Sequence, residues 1–303
     1  MTPSATVADK AINWVCSNVS HFSPFQPTKP FDEQRLKALC ELAFLCWLIL
    51  RESRSAGDSR LWSCLDLIRE TYNNHSFSDK LYREPETFVA YLLIAVALHK
   101  TGLLPAEDLR IFQTLIDHSN VLFSERPAHR RLELRYIFDV AGFTHRLPSY
   151  DALYRASITS NTVNPIYITD LDAYSITHTL FYCADFGAHT VGGVPLRRLR
   201  HGHNTVKTLL GMYTIRPNWD LVAELLVSCH CLQETSSMIY ALAWKALTQA
   251  QWESGAVPGP FHDRDKERAL PDHEKQDYIF RQCYHTTLVA ALAGALCAWK
   301  ECP

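Results

Sequence analysis

The sequence predicts an all-α protein, and three observations carry that prediction. Apolar residues recur at helical spacing along nearly the whole chain, start and stop signals bracket the runs, and only Thr162–Thr169 (Thr-Val-Asn-Pro-Ile-Tyr-Ile-Thr) reads as extended. Helices are expected at about 5–21, 32–52, 57–74, 85–101, 106–119, 127–143, 149–157, 170–186, 195–213, 218–231, 236–253 and 277–299. Glu84-Pro85-Glu86 places proline and acids in a first turn, where a missing N–H costs nothing and negative charge meets the helix dipole. Thr101-Gly102 before Pro105 is a stop. Pro195 opens the helix before Leu196, and Arg216-Pro217 ends it before Asn218 caps Trp219-Asp220.

Connections are mostly short, which favours antiparallel neighbours. Twelve helices in short-linked pairs fit six helical hairpins closing into an (α/α)6 toroid-like barrel, with an open solenoid as the alternative. One domain is expected over 1–303. It is interrupted by an irregular segment, 254–276, with Gly255, Pro258, Gly259 and Pro260 followed by a charged run; a segment of this length is expected to be a lid or binding loop, or else a plain insertion.

Composition excludes several classes. With 47% apolar and 20% charged residues and a net charge of −2, the chain has neither the basic footprint of a nucleic-acid binder nor attraction to an anionic membrane. No apolar run spans a bilayer, and Met1-Thr2-Pro3-Ser4 lacks the start of a signal peptide. The ten cysteines lie mostly within apolar helical stretches with no Cys-x-x-Cys pair, so a reduced, cytoplasmic chain is expected. Phosphate-binding, dinucleotide, serine-elbow and His-Glu-x-x-His motifs are absent.

The richest local signal is a repeated pattern. Asp170 stands eight residues before His178-Thr179, and Asp277 stands eight before His285-Thr286. In the first copy His178, Tyr182, Asp185 and His189 fall at i, i+4, i+7 and i+11, one stripe of a helix. Titratable groups sharing a face with bulky apolar residues are costly to bury unless they act. His178 and Asp185 are about 10 Å apart by helix rise, too far for a direct dyad, so Asp185 should meet Tyr182 or His189. Asp170 and Asp172 open the same helix; one can serve as a cap, and the other is free for chemistry.

Three resemblances extend this reading. Gln249-Ala250-Gln251-Trp252-Glu253-Ser254-Gly255 through Phe261 resembles the loop that closes a helical hairpin in terpene-cyclase-like α/α toroids, although Ser254 replaces the usual Asp. Asp170-Leu171-Asp172-Ala173 is similar to the Asp-x-Asp-Asp acid of the class II cyclases but lacks the last acid. The string from Tyr174 to Gly187 also resembles an uncharacterised helical family found near natural-product gene clusters in actinobacteria, which implies a biosynthetic setting. Lanthionine cyclases, on the same toroid, bind zinc through a Cys-His pair and further ligands. Cys229-His230 supplies such a pair, and Gly187-Ala188-His189 is similar to the segment of the upstream histidine, but the middle Cys element is missing.

The expected function is a biosynthetic cyclase, lyase or hydrolase of peptide or terpenoid-like metabolism. Asp172 and His178 form the acid–base pair, with His285 as a second imidazole and Asp185 as an orienting acid. Asp170, Tyr174, Tyr182, His189, Trp244 and Tyr284 contact a small-molecule or peptide substrate. No cofactor is expected, zinc at Cys229-His230 being the exception to test, and neither nucleic acid nor membrane is expected as a partner. The alternatives are a helical module that binds a peptide or carrier protein without catalysis, and a zinc-dependent, lanthionine-cyclase-like enzyme.

Overall fold

The structure, a computed structural model, describes residues 2–25, 30–52, 58–84, 87–188, 194–199 and 202–301. Among these residues it is helical throughout, with no strand, as the periodicity predicts. The helices are α1 (Pro3–Ser17), α2 (Glu33–Glu52), α3 (Leu61–Tyr72), α4 (His75–Arg83), α5 (Phe88–Lys100), α6 (Arg110–His118), α7 (Ala128–Ala141), α8 (Tyr150–Arg155), α9 (Asp170–Cys183), α10 (Leu196–Leu199), α11 (His203–Ile215), α12 (Trp219–Leu232), α13 (Met238–Ala250), α14 (Arg264–Ala269) and α15 (Asp272–Glu301).

Capping explains many of the boundaries. Thr2 caps α1 with Pro3 in its first turn. Thr169 and Asp172 form a reciprocal capping box at α9, and Asn218 and Ser237 cap α12 and α13. Gly142 ends α7 in the left-handed conformation.

Four expectations are corrected. The stretch 162–169 is extended only in part: Asn164, Ile168 and Thr169 have extended backbone angles, but Pro165–Tyr167 forms a tight 3-10 turn capped by Asn164. Helix α9 stops at Cys183, short of 186, because Asp185 and Phe186 adopt positive φ of 46° and 55°. Helix α4 follows α3 as a separate element, since Asn73 ends one helix and the Asn74 side chain caps the next. Helix α15 begins at Asp272, five residues earlier than the spacing suggests.

Six helices pack in a cyclic order: α2 on α5, α5 on α7, α7 on α9, α9 on α12, α12 on α15, and α15 back on α2. Side-chain pairs set their directions. Tyr174 meets Asp220 and Thr177 meets Glu224, so α9 and α12 run parallel. His129 faces His178 and Tyr136 faces Tyr182, so α7 runs parallel to α9. Arg35 meets Asp277 and Glu41 meets His285, which aligns α2 with α15. Parallel neighbours need a return element between them, and α8, α11 and α13 supply it, each packed against a helix of this set. Helix α12 is buried from Asp220 to Leu232, as a helix covered on all sides must be.

The segment 254–276, expected as a lid or binding loop or as a plain insertion, is anchored at several points. Gln251 Nε2 donates to the Val7 and Gly255 carbonyls, the Val257 N–H donates to Thr287 Oγ1, and the Gly259 N–H donates to the Gln282 carbonyl. Gly255 has φ +97° and lies against the Lys10 carbonyl of α1, where a Cβ would collide. The segment straps α1 to α15, and its charged run forms the short helix α14.

Candidate functional site

Five helices of the cyclic set bring polar side chains to one place near their N-terminal halves. Helix α12 supplies the centre: Asp220 and Glu224, one turn apart, each 3% exposed. Helix α9 faces them. The Tyr174 hydroxyl donates to Asp220 Oδ2 at 2.6 Å, the Thr177 hydroxyl donates to Glu224 Oε2, and His178 Nε2 lies 3.4 Å from Glu224 Oε1.

Helix α15 brings His285 to the other side. Its Nδ1 is 2.7 Å from Glu41 Oε2 on α2, and its Nε2 is 3.4 Å from Asp220 Oδ1. Helix α7 adds His129, whose ring centre lies 6.0 Å from that of His178, and Glu133, which accepts from the Tyr182 hydroxyl at 3.2 Å. Lys37 approaches Glu41 from the exposed side at 3.7 Å.

The cluster is not sealed. His285 keeps 36% of its side chain accessible, Glu41 24% and His178 19%, whereas Asp220 and Glu224 beneath them keep 4% and 3%. Imidazoles therefore line a recess floored by carboxylates. Tyr174, Phe181 and Tyr182 surround the His178 ring at centre distances of 6.4, 5.8 and 6.2 Å.

Electrostatics follow from this layout. Burial works to lower the basicity of His285, but Glu41 and Asp220 beside it win, and its pKa is raised to about 10. Burial and the adjacent Glu224 push the Asp220 carboxyl up. Burial opposes ionisation of Glu224 and Glu41 as well, yet His178 and His285 respectively hold these carboxyls below the usual range. Burial, with His178 and Arg130 nearby, brings His129 down to about 4, so it is neutral at pH 7.

The predicted site residues divide into two groups. His178, His285, Tyr174 and Tyr182 meet at the recess, and Tyr284, half-buried, stacks on Phe280 with its ring 6.3 Å from that of His285. The Asp172–His178 pairing is not made. Asp172 Oδ2 accepts from the backbone N–H and hydroxyl of Thr169, at the exposed start of α9. Asp170 is likewise exposed and accepts from the Tyr213 hydroxyl.

Asp185 does not orient His178 or meet Tyr182. Its carboxylate accepts from the Tyr136 hydroxyl and from Arg51, both at 2.6 Å, fixing the turn after α9. Trp244 is buried on α13 against Tyr240, away from the recess residues. His189 lies outside the described residues. The repeated acid eight residues before each His-Thr pair does not reach its histidine, since eight residues of helix rise about 12 Å. Asp277 instead joins Arg35 and Arg281 between α2 and α15.

Asp220, Glu224 and Glu41 escape a search built on histidine stripes. A usable signal was present: Asp220-x-x-x-Glu224 puts two acids one turn apart in a helix otherwise apolar enough to be buried. Among the described residues, the one group of three side chains able to share a metal ion is Asp220, Glu224 and His285, whose donor atoms lie within 4.8 Å of one another. Cys229 and His230 are buried, with the His230 ring packed on Gly187, and belong to no such group.

No curated protein and no solved structure matches the chain. A family model described as DUF6895, a domain of unknown function, matches residues 8–295. With nearly the whole sequence covered, from within α1 to within α15, the chain belongs to the DUF6895 family.

Proposed function

We propose that the protein is a biosynthetic enzyme acting on a small-molecule or peptide substrate in a central recess of an (α/α)6 toroid. In this reading it catalyses a cyclisation, elimination or hydrolysis by acid–base chemistry. The observation that supports it is the convergence of His178 and His285, carried by different helices, on the adjacent carboxylates Glu224 and Asp220. A carboxylate behind an imidazole fixes its orientation and stabilises its protonated form, the arrangement that acid–base catalysis requires.

His178 takes the acid–base role that the sequence suggests, with Glu224 replacing Asp172 as its partner. Its side chain keeps 19% of its surface accessible, which is where a substrate would meet it. His285, held by Glu41 and facing Asp220, acts as the second, cationic group that balances negative charge developing on the substrate. Tyr174 and Thr177 orient the two carboxylates. The natural-product setting is supported by the sequence resemblance, and the toroid by the cyclic packing of the six helices.

The test is comparative metabolite profiling. Purified protein and a His178→Ala variant are incubated with small-molecule extracts, and mass spectrometry follows features consumed or formed. The expected result is one or more features converted by the wild type and left unchanged by a variant with native helicity and melting temperature. Conversion by the variant at the wild-type rate would remove His178 from the chemistry.

A further inference from the structure

The hydrogen bonding of the recess leaves a defined gap in its partners. Asp220 is 96% buried by side chain, and its Oδ2 is taken by Tyr174, but Oδ1 has no hydrogen-bond partner among the described residues. That atom points at His285 Nε2, 3.4 Å away, and a buried carboxylate oxygen without a partner is costly. Glu224, one turn further along α12, adds a second buried carboxylate and still only one imidazole stands between them and α15. Like charges so placed repel unless something cationic lies between them.

We propose that Asp220, Glu224 and His285 bind a first-row divalent transition-metal cation, with Glu41 as the outer carboxylate that fixes the ligand imidazole. Three features of the geometry point the same way. The 3.4 Å between Asp220 Oδ1 and His285 Nε2 equals the edge expected between two ligands, about 3.4 Å, when each sits about 2.1 Å from a tetrahedral ion. The Glu41 contact at His285 Nδ1 leaves Nε2 facing Asp220; a bound ion would displace the Nε2 proton and take over the cationic role of this imidazole, giving the carboxylate–imidazole–metal arrangement of metalloenzymes. Two carboxylate oxygens and one imidazole nitrogen form a borderline donor set that suits zinc, manganese or iron better than magnesium or calcium. Three protein ligands leave positions open beside His178, so a bound ion would act as a Lewis acid next to the acid–base residue.

This inference rests on the site proposed above for its location, not on any turnover. The experiment is isothermal titration of EDTA-treated, refolding-checked protein with ZnCl2 and with MnCl2. The expected result is saturable binding of one ion per chain for at least one of the two metals. Asp220→Asn and His285→Gln should each weaken it by at least tenfold, and Asp172→Asn should leave it unchanged. If the ligand variants fail to fold, Glu41→Gln, which touches no ion, should still weaken binding by about 10- to 100-fold.

Absence of saturable binding to the wild type, or wild-type affinity in folded Asp220→Asn and His285→Gln, overturns the proposal. A protein that turns over substrate but binds no cation leaves the acid–base reading standing and removes this one. A protein that binds the cation and converts nothing does the reverse.

Discussion

Asp220 of α12 and His285 of α15 face each other at 3.4 Å without a hydrogen bond, and each is held from behind by a partner on a third helix. Tyr174 of α9 fixes the carboxylate and Glu41 of α2 fixes the imidazole. Four helices therefore meet in one contact, and the recess is a property of their packing rather than of any one segment.

The Tyr174–Asp220 bond is expected to matter for stability as well as for the site. Tyr174→Phe removes a donor to a buried carboxyl and should cost about 1–3 kcal/mol. Urea unfolding of the two proteins measures this. A difference within error would mean that another group takes over the role of the hydroxyl.

Asp185 is expected to be structural, in contrast to its place in the sequence stripe. It accepts from Arg51 and Tyr136 at a turn with positive φ. Asp185→Asn uncouples a largely buried ion pair and should destabilise by about 3 kcal/mol, with binding or turnover per folded molecule unchanged. Loss of function at full native stability would return it to the site.

The strap between α13 and α15 depends on Gly255. Its φ of +97° and its contact with the Lys10 carbonyl leave no room for a side chain. Gly255→Ala should destabilise by more than about 1 kcal/mol, because both the backbone conformation and the packing oppose a Cβ. Thermal melting of the variant tests this.

His129 gives the fold an acid-side sensitivity. Burial first, and then His178 and Arg130, depress its pKa from 6.5 to about 4, so the unfolded chain takes up a proton that the folded protein resists. Its contribution to stability is complete above pH 6.5 and is lost as pH falls through about 4. Unfolding midpoints at pH 7.5, 5.5 and 4 should therefore fall more steeply for the wild type than for His129→Gln. Parallel slopes would show that other groups govern acid unfolding.

Periodicity, caps and breakers made the helices legible, because these are local properties with a spacing of 3.6 residues. The helix ends that departed from expectation did so for tertiary reasons. Asp185 takes a left-handed conformation, and the hydrogen bonds its carboxylate accepts from Arg51 and Tyr136, of other helices, hold it there, ending α9 early. The histidines of the recess, and Tyr174 and Tyr182 beside them, stood out as polar groups on apolar faces. Their carboxylate partners were less plain, since Glu224 is 46 residues from His178 and Glu41 is 244 residues from His285. Sequence spacing offered Asp170 and Asp172 instead, whose side chains serve Tyr213 and Thr169.

By itself the sequence determined that the chain is helical, where most helices begin and stop, and that His178 and His285 each lie within a helix eight residues after an acid. Those are consequences of neighbours along the chain. Only the tertiary structure decided which acids meet those imidazoles, because parallel packing of α2, α7, α9, α12 and α15 sets residues far apart in sequence within a few ångströms of one another. It also made Asp172 a cap and Asp220 a buried carboxylate, although each lies in the first turn of its helix. The difference is that α12 is enclosed on all sides while the start of α9 remains in water; the apolar run of α12 points to its burial, but only the packing decides which side chains its two acids meet.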